Sequence, residues 1–359
     1  MRILKIFLAA ATTLAVSVGA PAAPGACDRT PNPARWSDVG TPDAGLEHMR
    51  ITVHRGAANL APEDTIPAFE YAIAYGLDMI EVDVQQTLDG RWVVLHDYEV
   101  DDKTNGSGLI PLMTYDEVTA LNAADNDGWR GTEYDPTYVP GLEEVLALAS
   151  KHDVGISFDL KETVANAAGV ALLASQYPGI IERSIFQPYV PGRTEQILAV
   201  APDATVMFNS QYEDTPPAAL FALGTEYQWF GSSLPNFPPE AIAAIHDACG
   251  FVQPNVYQGD VTGSEAGDLA FARDIGADGA MVNNPDVAVA VLDRPVATSI
   301  TLDGARACLV GNRGLGLPGK TLEVDGSPIQ TARGGCVALP QDWESVVFAG
   351  DDSALPSAL

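Results

Sequence analysis

The chain has 359 residues, 47% hydrophobic and 19% charged, enough for a barrel of about 250 residues plus further segments and a substantial buried core. Nineteen basic residues against 48 acidic ones give a formal net charge of −29. A surface of that sign repels nucleic acid and anionic bilayers, which excludes both as bulk partners.

At the N-terminus, Arg2 and Lys5 precede an apolar run from Ile6 to Ala20 that is too short to span a bilayer. Ala20-Pro21-Ala22 follows as a small-x-small cleavage site. Residues 1–26 therefore read as a removed signal peptide and 27–48 as an N-terminal extension, and the mature protein is expected to be secreted or periplasmic. Pro24 stands where a lipobox carries Leu, so lipoprotein anchoring at Cys27 is not expected. No later hydrophobic segment is long enough to cross a bilayer, so stable membrane insertion is not expected either.

From Met49 to about Arg294, strand-like runs alternate with helix-like ones. The strand candidates include "RITVHRG", "MIEVDVQQT", "WVVLHD", "GISFDLK", "RSIFQP", "ATVMFNS", "GFVQPNVY" and "GAMVNNP". Helical patterns between them include "TIPAFEYAIAYG", with Thr65 as N-cap, Pro67 in the first turn and Gly76 as the stop, then "GLEEVLALASKH" and "EAGDLAFARDIG". Repeated strand-then-helix order with short apolar strands predicts a parallel sheet covered by helices, here a (β/α)8 TIM barrel over 49–295. No G-x-G-x-x-G follows the first strand, so a dinucleotide fold gains no support. The polar, Gly/Asp/Asn-rich stretch from Asp97 to Tyr138 is expected to be a long excursion between barrel units.

After Pro295 the helical period is lost and short apolar runs alternate with glycines, so 296–359 read as a small β-rich C-terminal module. Cys308 and Cys336 both lie in it and are expected to pair as a disulfide, leaving Cys27 and Cys249 as the other pair. The absence of CxxC or Cys/His clusters speaks against zinc.

In a barrel, the C-terminal ends of different strands converge at one mouth, and the reactive residues fall there. His54 and Arg55 end the first strand. Glu81 and Asp83 share one face of the second, in "MIEVDVQQT", while Ile80, Val82 and Val84 take the other. His96 and Asp97 end the third strand run, and Asp159 and Lys161 sit at i and i+2 of "GISFDLK". Two neighbouring carboxylates joined by Asp159 from another strand become acceptable in a buried site if a divalent cation lies between them. All-oxygen ligands point to Ca²⁺ or Mg²⁺. Two histidines facing such an ion suit general acid and base, and Arg55 and Lys161 supply the fixed charge a phosphate needs. The pattern reads as metal-assisted phosphodiester cleavage. Taken singly the members are weaker: Glu81 and Asp83 could be a solvated strand face, and Asp159 with Lys161 a plain ion pair. His48, His152 and His246 carry no such pattern.

The run "HRGAANLAPEDTIPAFEYAIAYGLDMIEVDVQQTLDGRWVVLHD" resembles the signature of the glycerophosphodiester phosphodiesterase family: an HRG strand end, a Pro-Glu-x-Thr turn, an E-x-D strand, T-x-D-G and V-V-x-H-D. The resemblance continues more weakly through "KTNGSGLI", "YVPGLEEVLAL" and "SFDLK" to "DIGADGAMVNNPD". It implies a TIM barrel, a bound Ca²⁺ or Mg²⁺, and hydrolysis of glycerophosphodiesters to an alcohol and glycerol 3-phosphate. Position by position, it implies His54 and His96 as the acid/base pair, Arg55 and Lys161 on the phosphate, and Glu81, Asp83 and Asp159 on the metal. Glu63 matches the turn glutamate and falls with the substrate-binding residues. The implied partner is a small phosphodiester, with no particular oligomeric state indicated.

Three positions depart from the family pattern. Asp159 stands where these phosphodiesterases usually have Glu, and "FDLK" resembles the sphingomyelinase D/phospholipase D branch on the same barrel, which keeps choline lipids as an alternative substrate. "GFVQPNVY" lacks the family's tryptophan motif. In "VNNPD", Asn283 or Asn284 replaces an acid. A non-catalytic envelope binding protein on the same scaffold is the alternative from another class, and the presence of both histidines speaks against it.

Overall fold

The computed structural model describes residues 49–348 apart from 126–127, 191, 210–228, 248–249, 295 and 297. The expected signal peptide, the N-terminal extension and the proposed Cys27–Cys249 pair lie outside the described residues.

Eight parallel strands close a barrel: β1 (Arg50–Val53), β2 (Met79–Gln86), β4 (Gly155–Leu160), β5 (Ile185–Pro188), β6 (Thr205–Asn209), β7 (Trp229–Ser233), β8 (Phe251–Asn255) and β9 (Gly279–Val282). Pairing runs in order from β1 through β2, β4 and onward to β9, which pairs back with β1. This is the expected (β/α)8 barrel, with one reassignment. "WVVLHD" is not a barrel strand: its strand portion, β3 (Trp92–Val94), pairs antiparallel with the outer half of β2. The eighth barrel place is taken by β7, whose Trp-Phe-Gly-Ser-Ser sequence has too many small residues to show an apolar alternation.

Period-2 alternation sorts each barrel strand into two faces. Ile80, Val82 and Val84 of β2 join Ile156, Phe158 and Leu160 of β4 in the layer between sheet and helices. The opposite face lines the barrel, and its floor is a separate apolar plug of Met79, Ile185, Met207, Trp229 and Phe251. Above it the lining is polar, with groups that bond one another: Thr52 donates to Gln253 at 2.9 Å and Gln187 to Ser157 at 2.6 Å.

The helix Ile66–Ala74 starts at Thr65 with Pro67 in its first turn and is followed by Gly76 at φ 77°, as its sequence predicts. Thr65 caps differently from expectation: its hydroxyl donates to the Pro62 carbonyl at 2.5 Å instead of accepting from the helix. The helices Leu142–Lys151 and Glu265–Asp274 also lie within their predicted spans. No helix among the described residues is long and apolar enough to cross a membrane.

The C-terminal module is two three-stranded antiparallel sheets. One contains β10 (Ser299–Asp303), β11 (Arg306–Val310) and β14 (Cys336–Ala338), and the other β12 (Thr321–Val324), β13 (Ser327–Gln330) and β15 (Val346–Phe348). Cys308 and Cys336 face each other across β11 and β14 and form the expected disulfide. Leu309, Leu317, Leu322, Val337 and Val346 join the same buried cluster as the barrel's helical layer. Arg313 donates to the Leu77 carbonyl at 3.0 Å, and Lys320 lies 5.1 Å from the Tyr75 ring. The module is thus fused to the barrel wall by a shared core.

Candidate active site

Every residue singled out for chemistry converges on the barrel's C-terminal mouth except Glu63, which stands just behind Arg55. In the β2–β4 register Asp83 is directly opposite Asp159, and Glu81 sits one pleat below, opposite Ser157. Glu81, Asp83 and Asp159 are all buried and each offers an oxygen within 4.8 Å of the others. One pocket is lined by His54, Arg55, Glu81, His96, Asp159 and Lys161, closed on its far side by Gln187, Tyr189, Asn209 and Tyr257.

The first strand delivers two of these side chains through a strained turn. Arg55 has φ 52° and Gly56 φ 73°, and a Cβ on Gly56 would lie 2.7 Å from the backbone carbon of Ala68. Only glycine can follow the arginine while the helix packs this closely. The turn points the Arg55 amide at Glu81 Oε2, 2.8 Å away. Its guanidinium donates to Glu63 Oε1 at 3.1 Å and lies 3.2 Å from Asp83 Oδ2, the latter an ionic contact without good hydrogen-bond direction.

Lys161 bridges the carboxylates, 2.6 Å from Asp83 Oδ1 and 2.8 Å from Asp159 Oδ2. Burial opposes the charge on Asp83, but Lys161 and Arg55 outweigh it and hold this carboxyl well below the usual range. Asp159 is pushed up to about 6, by burial first, with Lys161 opposing and Asp83 adding to the rise. Glu81 is raised by burial and by the neighbouring Asp83. With protein cations alone, Glu81 and Asp159 are thus harder to ionise than an ordinary carboxyl, while Asp83 is easier. Asp159 Oδ1 is buried without a hydrogen-bond partner. An all-oxygen donor set with excess negative charge and an unsatisfied buried oxygen fits a hard divalent cation.

The two histidines are held differently. His54 donates from Nδ1 to Asn283 Oδ1 at 2.8 Å and stacks on Tyr257, with centroids 4.3 Å apart and planes 3° from parallel. Burial, then Arg55, lower its pKa to about 4, so at neutral pH the ring is uncharged and presents a free Nε2 lone pair. His96 lies two residues beyond β3, half-exposed, and donates from Nδ1 to its neighbour Asp97 at 2.7 Å. Gln85, buried on β2, donates to the carbonyls of both His96 and Asp97 at 3.0 Å, so β2 positions this histidine although β3 lies outside the barrel.

Four groups escape a reading of single motifs. Asn283, just after β9, is the partner of His54, which settles which asparagine of "VNNPD" stands near the chemistry; Asn284 instead bonds Glu265. Tyr189 donates to Asp159 Oδ2 at 3.0 Å, and Tyr257 stacks on His54. Both tyrosines lie past strand ends, where no period marks them. Asp64 is buried at φ 56°, accepts from the Asp83 amide at 3.4 Å, and has its pKa raised by burial and by Asp83. Its position is the unspecified one in Pro-Glu-x-Thr.

Residues 54–233, just over half the chain, match the glycerophosphoryl diester phosphodiesterase family. The chain belongs to that family. A phosphodiesterase of this family from Caldanaerobacter subterraneus subsp. tengcongensis is 37% identical over 135 residues, 38% of this chain and 50% of the relative. Mouse glycerophosphodiester phosphodiesterase 1 is 34% identical over 147 residues, 40% of this chain and 44% of the relative. The chain thus spans about half the length of the curated relatives it matches. In fold, the barrel resembles a glycerophosphodiester phosphodiesterase from Agrobacterium tumefaciens (TM-score 0.58, 24% identity, 67% of this chain, 99% of that one). It also resembles an Oleispira antarctica phosphodiesterase solved with sn-glycerol-3-phosphate (TM-score 0.59, 21% identity, 68% of this chain, 96% of that one). The glycerophosphodiester phosphodiesterase motifs in this chain are the turns and strand ends that build its mouth.

Proposed function

We propose that the protein is a metal-dependent phosphodiesterase that hydrolyses glycerophosphodiesters to an alcohol and glycerol 3-phosphate. The observation that carries this reading is one polar pocket lined by an uncharged buried histidine, a second histidine, two cations and two members, Glu81 and Asp159, of a cluster of three buried carboxylates. Glu81, Asp83 and Asp159 would hold Ca²⁺ or Mg²⁺, which supplies positive charge against the phosphoryl oxygens.

Arg55 and Lys161 are positioned to bind the same phosphoryl group, Arg55 being braced by Glu63 and Asp83, and Lys161 by Asp83 and Asp159. His54, neutral and with Nε2 unengaged, takes the proton from the attacking oxygen. His96, its Nδ1 turned to Asp97, gives its other proton to the departing alcohol oxygen. Gln187, Tyr189 and Asn209 on the far wall offer donors and acceptors that suit a glycerol moiety. The polar lining of this pocket favours this over the choline-lipid alternative. The N-terminal pattern supports export to the periplasm or medium as part of the same proposal.

The test is turnover of a glycerophosphodiester by protein stripped with EDTA and reloaded with Ca²⁺ or Mg²⁺. Activity that vanishes on stripping and returns on reloading supports the reading. Equal activity in EDTA sinks the metal, and turnover of sphingomyelin but not of the deacylated diester moves the protein to the lipid branch.

A further inference from the structure

A second cavity, of about 160 Å³, lies beside the phosphoryl pocket on the other side of the Arg55–Glu63 pair. It is lined by Pro62 and Glu63 from the turn after β1, Leu95 next to His96, and Lys103 and Trp129 from the excursion. Lys103 Nζ lies 3.2 Å from Glu63 Oε1, the oxygen that also receives Arg55. We propose that this cavity holds the departing alcohol and is built for a neutral polyhydroxylated one, such as a glycerol or an inositol, in preference to a quaternary ammonium.

This inference rests on the phosphodiesterase reading and adds the substrate class. Three observations carry it. Glu63 on the cavity wall is bonded to Arg55 of the phosphoryl pocket, and Leu95 adjoins His96 in the chain, so the cavity neighbours the residues assigned to the phosphoryl group and to the departing oxygen. A carboxylate and an ammonium in contact present acceptor and donors side by side, which matches vicinal hydroxyls, while the Trp129 ring supplies an apolar face for the C–H side of a polyol. A trimethylammonium would instead meet the Lys103 ammonium on the wall, with the carboxylate of Glu63 already engaged by both Lys103 and Arg55. The volume lies below the roughly 300–1,000 Å³ of pockets that enclose drug-sized ligands, so a small alcohol fits and an acyl chain does not.

The wall is also held in place. Trp129 meets Tyr134 edge-on, with centroids 5.2 Å apart, and the Tyr134 hydroxyl bonds that of Tyr71 at 2.8 Å. From the C-terminal module, Arg333 lies 5.7 Å from the Tyr134 ring and its amide donates to Glu133 at 2.6 Å. The module thereby props the excursion that forms the cavity.

The experiment compares kcat/KM for glycerophosphoglycerol and glycerophosphocholine in the wild type, Trp129→Leu and Lys103→Gln. One or two net hydrogen bonds predict a wild-type preference for glycerophosphoglycerol of about fivefold to thirtyfold, falling towards unity in both variants. A preference for the choline diester, or variants that slow both diesters equally, would overturn the proposal. Calorimetric binding of both diesters to metal-loaded His54→Ala separates the two levels of the account. Polyol-selective binding without wild-type hydrolysis retains the cavity and rejects the activity, whereas hydrolysis with choline-selective binding does the reverse.

Discussion

Asn283 offers the sharpest handle on the chemistry. It accepts the Nδ1 proton of His54 at 2.8 Å as a neutral amide, and His54 has a pKa of about 4. Asn283→Asp places a full negative charge roughly 4 Å from the centre of the ring. At an effective dielectric of about 20 that attraction is worth roughly 4 kcal/mol, close to three pKa units at about 1.4 kcal/mol each. The new carboxylate is itself desolvated, so the net rise should be about one to three units. A base works only when unprotonated, so activity is lost as pH falls through its pKa. The acidic limb of the kcat/KM profile should therefore move from near 4 to between about 5 and 7, with activity at pH 8 largely retained. A bound cation lowers the pKa in both proteins, so the difference between their profiles is the readout. An unmoved acidic limb in a folded, metal-binding variant would refute the assignment of His54 as the base.

Four further outcomes are expected. Metal affinity should fall as pH drops below about 6, where Asp159 takes up a proton, and Asp159→Asn should weaken binding at every pH; terbium luminescence or calorimetry reads both. Lys161→Met should lower kcat by about 10²–10³, as loss of a single charge-stabilising donor does, in a stopped assay with saturating metal. Tyr257→Leu should cost about two- to tenfold in kcat/KM, the worth of one aromatic stack, and show up more in kcat than in KM because the ring orients a base. Gly56→Ala combines a φ of 73° with a 2.7 Å approach to Ala68, so it should destabilise by about 1–3 kcal/mol and lower the melting temperature by several degrees in calorimetry.

The barrel is legible because its strands and helices differ in period, and the buried carboxylate cluster because two carboxylates on one face of an otherwise apolar strand need an explanation. β7 is not, since its glycine and serines leave no alternation to read. The place of β3 is not legible either, because an apolar run before His96 looks the same whether it lies inside a barrel or pairs outside one. Asn283, Tyr189 and Tyr257 act from loops beyond β9, β5 and β8, and their roles arise only when closure of the barrel brings distant ends together. The bracing of Trp129 by Arg333 joins residues 204 positions apart through Tyr134, and no local pattern encodes that.

The proposed hydrolysis breaks the bond between phosphorus and the alcohol opposite glycerol. Phosphorus NMR of glycerophosphocholine incubated with the metal-loaded protein tests it directly. The account predicts a growing glycerol 3-phosphate resonance that is absent with His54→Ala; phosphocholine as the product, or an unchanged diester, would contradict it.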